Sequence, residues 1–404
     1  MILSTFRDLS WVDRTLPLWI LLAMALGILL SVFVPRSRTV FSDGSSFDNV
    51  NIPIAVGLIV MMIPPLCKVR WESISDFIHR KNLWKHMIFS LIVNWLISPF
   101  VMLALAWATL PDLPDYRIGV IMIGLARCIA MVLIWNQVAR ADEDLCAFLV
   151  VLNSVLQLIL YAPYEVLFCQ VISHGESVSV TQQYLVVFRS VAFYLGIPLV
   201  AGAGIRLSCL WAFGEEVYVR KILRFISPWA LIGLLYTIIV IFIQQGYRII
   251  KDIGPVFRTF VPLSLYFIIM WFGTLFLARY FNNWLNELDE RKKTEKSCGC
   301  EKLKEDEPGR WATECGAEYA VTMTQAFTAA SNNFELSIAV AIAVYGINSP
   351  VVLASTIGPM LEVPILLALS YFALLLRDRW LWRDVGQEYE RLEVYETLEV
   401  TEAA

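Results

Sequence analysis

Ten times along its 404 residues the chain runs for about twenty residues with few or no charges. The runs fall at about 16–35, 52–67, 87–109, 118–139, 147–171, 184–205, 228–245, 260–280, 317–345 and 351–376. A helix needs about 20 apolar residues to cross ~30 Å of hydrocarbon. The recurrence therefore predicts an all-α integral membrane protein with ten transmembrane helices. Charges crowd the gaps instead of lying along one face of each run, which argues against a soluble helical repeat. Composition agrees, with 58% hydrophobic residues and a mean hydropathy of +0.64, against about 45–50% hydrophobic residues in soluble domains. The first run follows Arg7, Asp8, Asp13 and Arg14 and lacks a small-residue cleavage site, so it reads as a retained span and not a secretion signal.

Of the 32 Lys and Arg, 24 fall in gaps on one side of the bilayer and six on the other, with Arg127 and Arg189 inside spans. The bias places both termini in the cytoplasm. The net charge of −4 comes largely from a solvated acidic tail, 377–404, and gives no reason to expect a nucleic-acid partner. None of the eight cysteines lies in an outer loop, which excludes a disulfide framework. His79, His86 and His174 read as loop residues, so a histidine-box oxygenase or an intramembrane HExxH protease has no ligands. No enzyme and no cofactor is expected.

Ten spans divide into a first five-helix repeat at 1–171 and a second at 184–376, joined by an outer loop at 172–183. A cytoplasmic loop, 282–316, interrupts the second. An odd number of spans per half makes the halves opposite in topology, as in the inverted repeats of secondary transporters, whose sites sit mid-membrane where broken helices meet.

Spans 4 and 9 are the anomalous pair. Span 4 holds Arg127 beside Cys128, and a charge at the bilayer centre costs about 2.5–3.5 kcal/mol or more. Span 9 carries Thr328, Ser331, Asn332, Asn333 and Glu335 in one short run, where buried polar groups without partners are costly. At 1.5 Å per residue, Cys128 lies about 15 Å inside span 4 and Glu362 about 16 Å inside span 10, with Asn332 near the middle of span 9. Three spans thus place polar or reactive groups at one depth. Glu165 and Arg189 sit near the outer ends of their spans, where snorkelling or pairing is expected.

The stretches MMIPPLCKVRWESI, GLARCIAMVLIWN, SNNFELSIAVAI and GPMLEVPILL resemble the signatures of the arsenical-compound-resistance permeases, especially fungal members, of the bile/arsenite/riboflavin transporter superfamily. The resemblance runs from about residue 5 to 376. It implies ten spans, two inverted repeats with crossing discontinuous helices 4 and 9, and export of arsenite. It further implies an essential cysteine at Cys128 and essential glutamates at Glu335 and Glu362. Other positions of importance in the family match Asn94, Arg127, Trp135, Asn153, Arg206, Tyr266, Asn333 and Phe334.

The chemistry of those residues suits the reading. Arsenite at neutral pH is mainly As(OH)3, a neutral solute with a soft centre, and thiolate is the ligand such a centre prefers. One thiol, Cys128, beside the amides Asn332 and Asn333 would bind it weakly enough to release it. Arg127 would either raise the thiolate fraction of Cys128 or, by the slightly favoured reading, pair with Glu335 across the two helices. Glu362, with Glu335, would carry protons inward as the counter-ion. Cys298, Cys300 and Cys315 offer a weak signal for capture of As(III) in the cytoplasmic loop.

Antimonite is a further expected substrate. The alternatives are a sodium-coupled organic-anion carrier of the same superfamily, a non-transporting metalloid sensor, and a passive channel. The expected location is the plasma membrane, with the vacuolar membrane as the alternative, and the oligomeric state is open.

Overall fold

The computed structural model describes residues 11–42, 46–47, 50–73, 83–173, 180–296, 317–380 and 382. Nearly all of these are helical. Helix α1 (Trp11–Phe33) leads into α2 (Pro35–Ser42), with an axis change of 107° between Leu18–Phe33 and Pro35–Phe41. Two-residue strands, β1 (Ser46–Phe47) and β2 (Val50–Asn51), pair antiparallel before α3 (Ile52–Lys68). Asn51 caps α3 by accepting the Ile54 N–H, and Pro53 follows in the first turn, where a missing N–H costs nothing.

Helix α4 (Leu83–Thr109) contains a π-helical stretch, Ile92–Ile97, just before Pro99. Pro99 has no N–H to give the carbonyl four residues back, and the Tyr164 hydroxyl donates to that Trp95 carbonyl instead, at 2.9 Å. Then come α5 (Pro114–Leu125) and α6 (Met131–Val138), two short helices where one span was expected, and the long α7 (Glu143–Ile172), capped by Asp142.

Helix α8 runs from Val180–Val191 through a π-helical turn, Ala192–Gly196, into Ile197–Val217. It is interrupted at Gly214, whose φ of +76° is one that side-chain-bearing residues rarely adopt. Helices α9 (Pro228–Lys251) and α10 (Ile253–Lys296) follow. A second broken pair is α11 (Tyr319–Ala330) and α12 (Phe334–Tyr345), and α13 (Pro350–Thr356) with α14 (Gly358–Arg379) complete the bundle.

Two boundaries differ from expectation. Helix α10 continues to Lys296, so the loop expected from 282 begins as helix; its Glu, Lys and Arg are good helix formers. Helix α14 likewise runs to Arg379, past the expected start of the tail. His86 lies in the first turns of α4 and not in a loop, with its ring edge-on to Phe281.

Side chains are distributed as lipid requires. Leu18, Leu22 and Leu29 of α1, Val200 and Trp211 of α8, and Ile268 of α10 face outward, whereas Asn94, Arg127, Asn153, Gln157 and Glu362 are buried. Among the described residues, five helical runs are long and apolar enough to cross a membrane, six counting the bent first pair. The protein is an integral membrane protein whose polar groups are gathered inside.

The bundle has two ends. At one, Arg258 of α10 holds Asp112 through two 2.6 Å bonds, which keep the Asp112 carboxyl below its usual range. Gln245 there donates to the Ile347 carbonyl at 2.8 Å. At the other, near Lys68, Tyr319 donates to the Ala139 carbonyl at 2.8 Å and Asn282 to Thr322 at 3.0 Å. These are called the Asp112 end and the Lys68 end.

Candidate functional site

The two broken helix pairs meet at their breaks. Helix α5 ends at Leu125, and Ala126 is extended (φ −88°, ψ 120°); α11 ends at Ala330, and Ser331 is extended (φ −83°, ψ 139°). Arg127 and Asn332 then form a single antiparallel bridge between the breaks. The Asn333 N–H donates to the Ala126 carbonyl at 3.1 Å. Asn332 Nδ2 donates to the Ile123 and Ala126 carbonyls, at 2.8 and 3.1 Å, so an amide from one break covers carbonyls at the end of the opposite half-helix. Asn333 Oδ1 caps α12 by accepting the Leu336 N–H at 3.0 Å. The N-terminal, electropositive ends of α6 and α12 both start at this crossing.

Arg127 is buried, and its bonds are all to neutral groups. Its main-chain N–H donates to Gln157 Oε1, Nη1 to Ser98 Oγ at 2.8 Å, and Nη2 to the Gly124 carbonyl and to the Tyr266 hydroxyl at 3.2 Å. Ser98 and Tyr266 are hydrogen-bonded to each other. The expected ion pair with Glu335 does not form: the guanidinium donates instead to Ser98 of α4, Tyr266 of α10 and the Gly124 carbonyl of α5.

Cys128 sits in the break, its sulfur accepting the Val132 N–H at 3.3 Å. Glu335 lies in the first turn of α12 and Glu362 in the second turn of α14. Ser331 donates to Glu362 Oε1 at 3.0 Å, tying the second break to α14. Phe334 packs on Gly358 so closely that a Cβ there would overlap its ring, and it stands edge-on to Phe267 at 6.2 Å. Trp135 is buried one turn into α6.

Several buried polar atoms on these elements have no protein partner among the described residues: Arg127 Nε, Trp135 Nε1, Gln157 Nε2, Asn332 Oδ1, Asn333 Nδ2 and Ser337 Oγ. Each would cost about 1–3 kcal/mol if it stayed unbonded. So many around one crossing single it out as the candidate site.

Of the residues singled out from sequence, Arg127, Cys128, Trp135, Asn332, Asn333, Phe334, Glu335, Glu362 and Tyr266 lie on or against the crossing. Asn94 and Asn153 lie one turn away toward the Lys68 end: Asn94 Nδ2 donates to Ser90 at 2.9 Å, and Asn153 Oδ1 accepts from Trp95 Nε1 at 3.0 Å. Arg206 lies elsewhere. It grips Glu72 at 2.9 and 2.5 Å and donates to the Cys67 carbonyl at 3.1 Å, closing the C-terminus of α3. The guanidinium holds the Glu72 carboxyl below its usual range. Cys298, Cys300 and Cys315 lie outside the described residues. Ser98 and Gln157 escaped the sequence reading, although their spacing shows them: Ser90, Asn94 and Ser98 recur every four residues, as do Asn153 and Gln157, which puts each set on one helical face.

Toward the Lys68 end, a cavity of about 130 Å³ opens between α3, α6 and α7, lined by Lys68, Arg70, Leu133, Gln137, Glu143 and Asp144. Leu133 and Gln137 lie on the same half-helix as Val132, the contact of Cys128.

Comparison with other proteins places the chain in a family. Residues 55–252 match the sodium bile acid symporter family. Over 366 residues the chain is 38% identical to the arsenical-resistance protein Acr3 of Corynebacterium glutamicum, covering 90% of this chain and 89% of that one. It is 30% identical over 380 residues to an uncharacterized transporter of Synechocystis sp., covering 89% and 88%. To the arsenical-resistance protein Acr3 of Alkaliphilus metalliredigens it is 26% identical over 373 residues, covering 90% and 92%. By its length-spanning similarity to the first of these, the chain belongs to the Acr3 family of arsenical-resistance proteins.

Proposed function

We propose that this protein exports arsenite, As(OH)3, in exchange for protons, with antimonite as a second substrate, and so confers arsenic resistance. It is a transporter and not an enzyme. The observation that carries the reading is the crossing itself, where one thiol, a set of unbonded amide and indole atoms and two carboxylates converge inside an apolar bundle.

In this reading the chain crosses the membrane ten times: α1, α3, α4, α5 with α6, α7, α8, α9, α10, α11 with α12, and α13 with α14. The halves, 1–171 and 184–376, are inverted repeats joined by 172–183, and the broken pair is the fourth member of each. The Lys68 end faces the cytoplasm, where the basic residues concentrate, and the plasma membrane is the site of action. As(OH)3 enters by the cavity beside Leu133 and Gln137. Cys128 contacts the arsenic, by close approach or by exchange of one hydroxyl. Asn332 Oδ1, Asn333 Nδ2 and Trp135 Nε1 take the hydroxyl groups. A single sulfur binds weakly enough to release.

Coupling follows from charge. The membrane potential does no work on a neutral solute, whereas each elementary charge moving inward contributes about 2.3 kcal/mol per 100 mV. Glu362 and Glu335 are the acids placed to carry that proton. The match to a sodium symporter family supports a second reading, sodium coupling, in which the same carboxylates and amide oxygens would ligate Na⁺.

The test is arsenite uptake into everted vesicles with imposed proton or sodium gradients. The proton gradient should drive uptake by the wild type. Cys128→Ala should abolish it at every gradient, and Glu362→Gln should lose the response to the proton gradient. Full uptake by Cys128→Ala, or uptake driven by sodium alone, would overturn the proposal.

A further inference from the structure

Glu165 has no part in the site described above, yet it is a fully buried carboxylate, about two helical turns beyond Gln157 on the same face of α7. Its Oε1 accepts from Gln183 Nε2 of α8 at 2.8 Å and from the Tyr345 hydroxyl of α12 at 3.0 Å. Gln183 also donates to Tyr345 at 3.2 Å. The second oxygen, Oε2, is buried and has no partner among the described residues. The sequence reading, which expected snorkelling or pairing here, did not anticipate this enclosure; Arg189 of α8, by contrast, is exposed.

Around Glu165, Tyr345 comes from α12, and Tyr161 and Cys169 come from α7 itself. From α5, Arg117 is committed to the Leu110 and Pro111 carbonyls and the Trp107 ring. The π-helical turn of α8 brings Tyr194, which accepts the Asn51 N–H. Helix α6 has no ionisable residue, and α11 has only Tyr319, at the Lys68 end. Among the described residues, no cation pairs with Glu165. A glutamine would accept the same two bonds, so packing alone does not call for a carboxyl group here.

Between Glu165 and the crossing, α7 and α12 each carry a buried hydroxyl, Tyr161 and Ser337. Tyr161, one turn away, donates to the Met122 carbonyl at 3.3 Å and lies beside Ser337 Oγ, which has no partner of its own. Ser337 is two residues beyond Glu335 on α12. One turn further along α7, Gln157 holds the Arg127 N–H.

We propose that Glu165, held by Gln183 and Tyr345, is a second proton-exchanging station, loading from the Asp112 end and feeding the carboxylates at the crossing along the Tyr161–Ser337 hydroxyls. A proton from outside water arrives on Oε2. Each hydroxyl on the way accepts one proton and passes on its own, so only the terminal carboxylates change protonation. The proposal rests on the proton-exchange reading above.

The test uses purified protein in liposomes with two readouts: proton movement driven by an arsenite gradient, and arsenite/arsenite exchange, which needs no net proton movement. Glu165→Gln should lower proton movement at least about tenfold while exchange stays within about twofold of wild type. Glu165→Asp should keep proton movement with a displaced pH profile, and Tyr345→Phe should displace the profile less. Wild-type proton movement in Glu165→Gln would overturn the inference. So would parallel loss of exchange and proton movement, or identical behaviour of the Gln and Asp variants. Absence of arsenite-linked proton movement in the wild type would instead refute the proton-exchange reading itself.

Discussion

Removing the Asn332 carboxamide tests the crossing directly. Its Nδ2 makes two bonds, to the Ile123 and Ala126 carbonyls, and both join the second break to the first. Two buried carbonyls left without any partner would cost about 2–6 kcal/mol together. Neither is left bare, however: the Ile123 carbonyl still accepts the Ala126 N–H, and the Ala126 carbonyl still accepts the Asn333 N–H, both at 3.1 Å. The loss is therefore that of two net hydrogen bonds, about 1–3 kcal/mol. Interhelical bonds inside membranes average about 0.6 kcal/mol, which favours the lower half of that range for Asn332→Ala. Asn332→Asp is nearly isosteric but sets an acceptor against two acceptors, so it should be the less stable of the two. Unfolding titrations with SDS in mixed micelles, followed by circular dichroism, give the order: wild type, then Ala, then Asp. An Asp variant as stable as wild type would mean that Asn332 does not donate across the breaks, and the geometry argued here would be wrong.

Three further outcomes follow from named contacts. Gly358→Ala should reduce folded yield severely through overlap with Phe334, and Phe334→Val in the same chain should restore part of it; no recovery in the double variant would refute that contact. Because Arg127 bonds to Ser98, Gly124 and Tyr266 and not to Glu335, the exchange Arg127→Glu with Glu335→Arg should transport arsenite no better than either single variant. The Arg206 pair holds Glu72 below its ordinary value of 4.5. Its stabilisation is therefore complete above that value and is lost as pH falls through the lower folded pKa. The stability gap between wild type and Glu72→Gln should be constant near neutrality and close only below pH 4.5, as read from unfolding midpoints across pH.

The two breaks were not equally legible in the sequence. Ser331, Asn332 and Asn333 are residues whose side chains compete for backbone bonds and favour helix caps, so an interruption of the second span could be read locally. Leu125, Ala126, Arg127 and Cys128 carry no such signal; alanine, leucine and arginine are good helix formers. That break is held from outside, by Gln157 on the Arg127 N–H and by the Asn332 and Asn333 bonds to Ala126. The same limit explains the misplaced guanidinium partner. Sequence places Arg127 and Glu335 at one depth but leaves open which face each turns to. Ser98 and Tyr266, from distant spans, decide it.

With Arg127 bonded only to neutral groups, charge balance at the crossing becomes collective. One buried cation, Arg127, and two buried carboxylates, Glu335 and Glu362, are carried by the elements that meet there. The set is neutral overall when the pair holds one proton. A neutral solute entering or leaving does not disturb that balance, so it can exchange without moving a proton. Glu335→Gln and Glu362→Gln should each remain stable and keep arsenite/arsenite exchange, since one carboxylate still balances Arg127. The double variant leaves a buried guanidinium with no counter-charge, which costs about 3–5 kcal/mol when a buried pair is broken from one side. Its SDS unfolding midpoint should fall well below the sum of the single effects, and adding Arg127→Met should recover part of the loss. If the double variant were as stable as the singles, the three residues would not share one charge balance, and the coupling derived from it would have no physical basis.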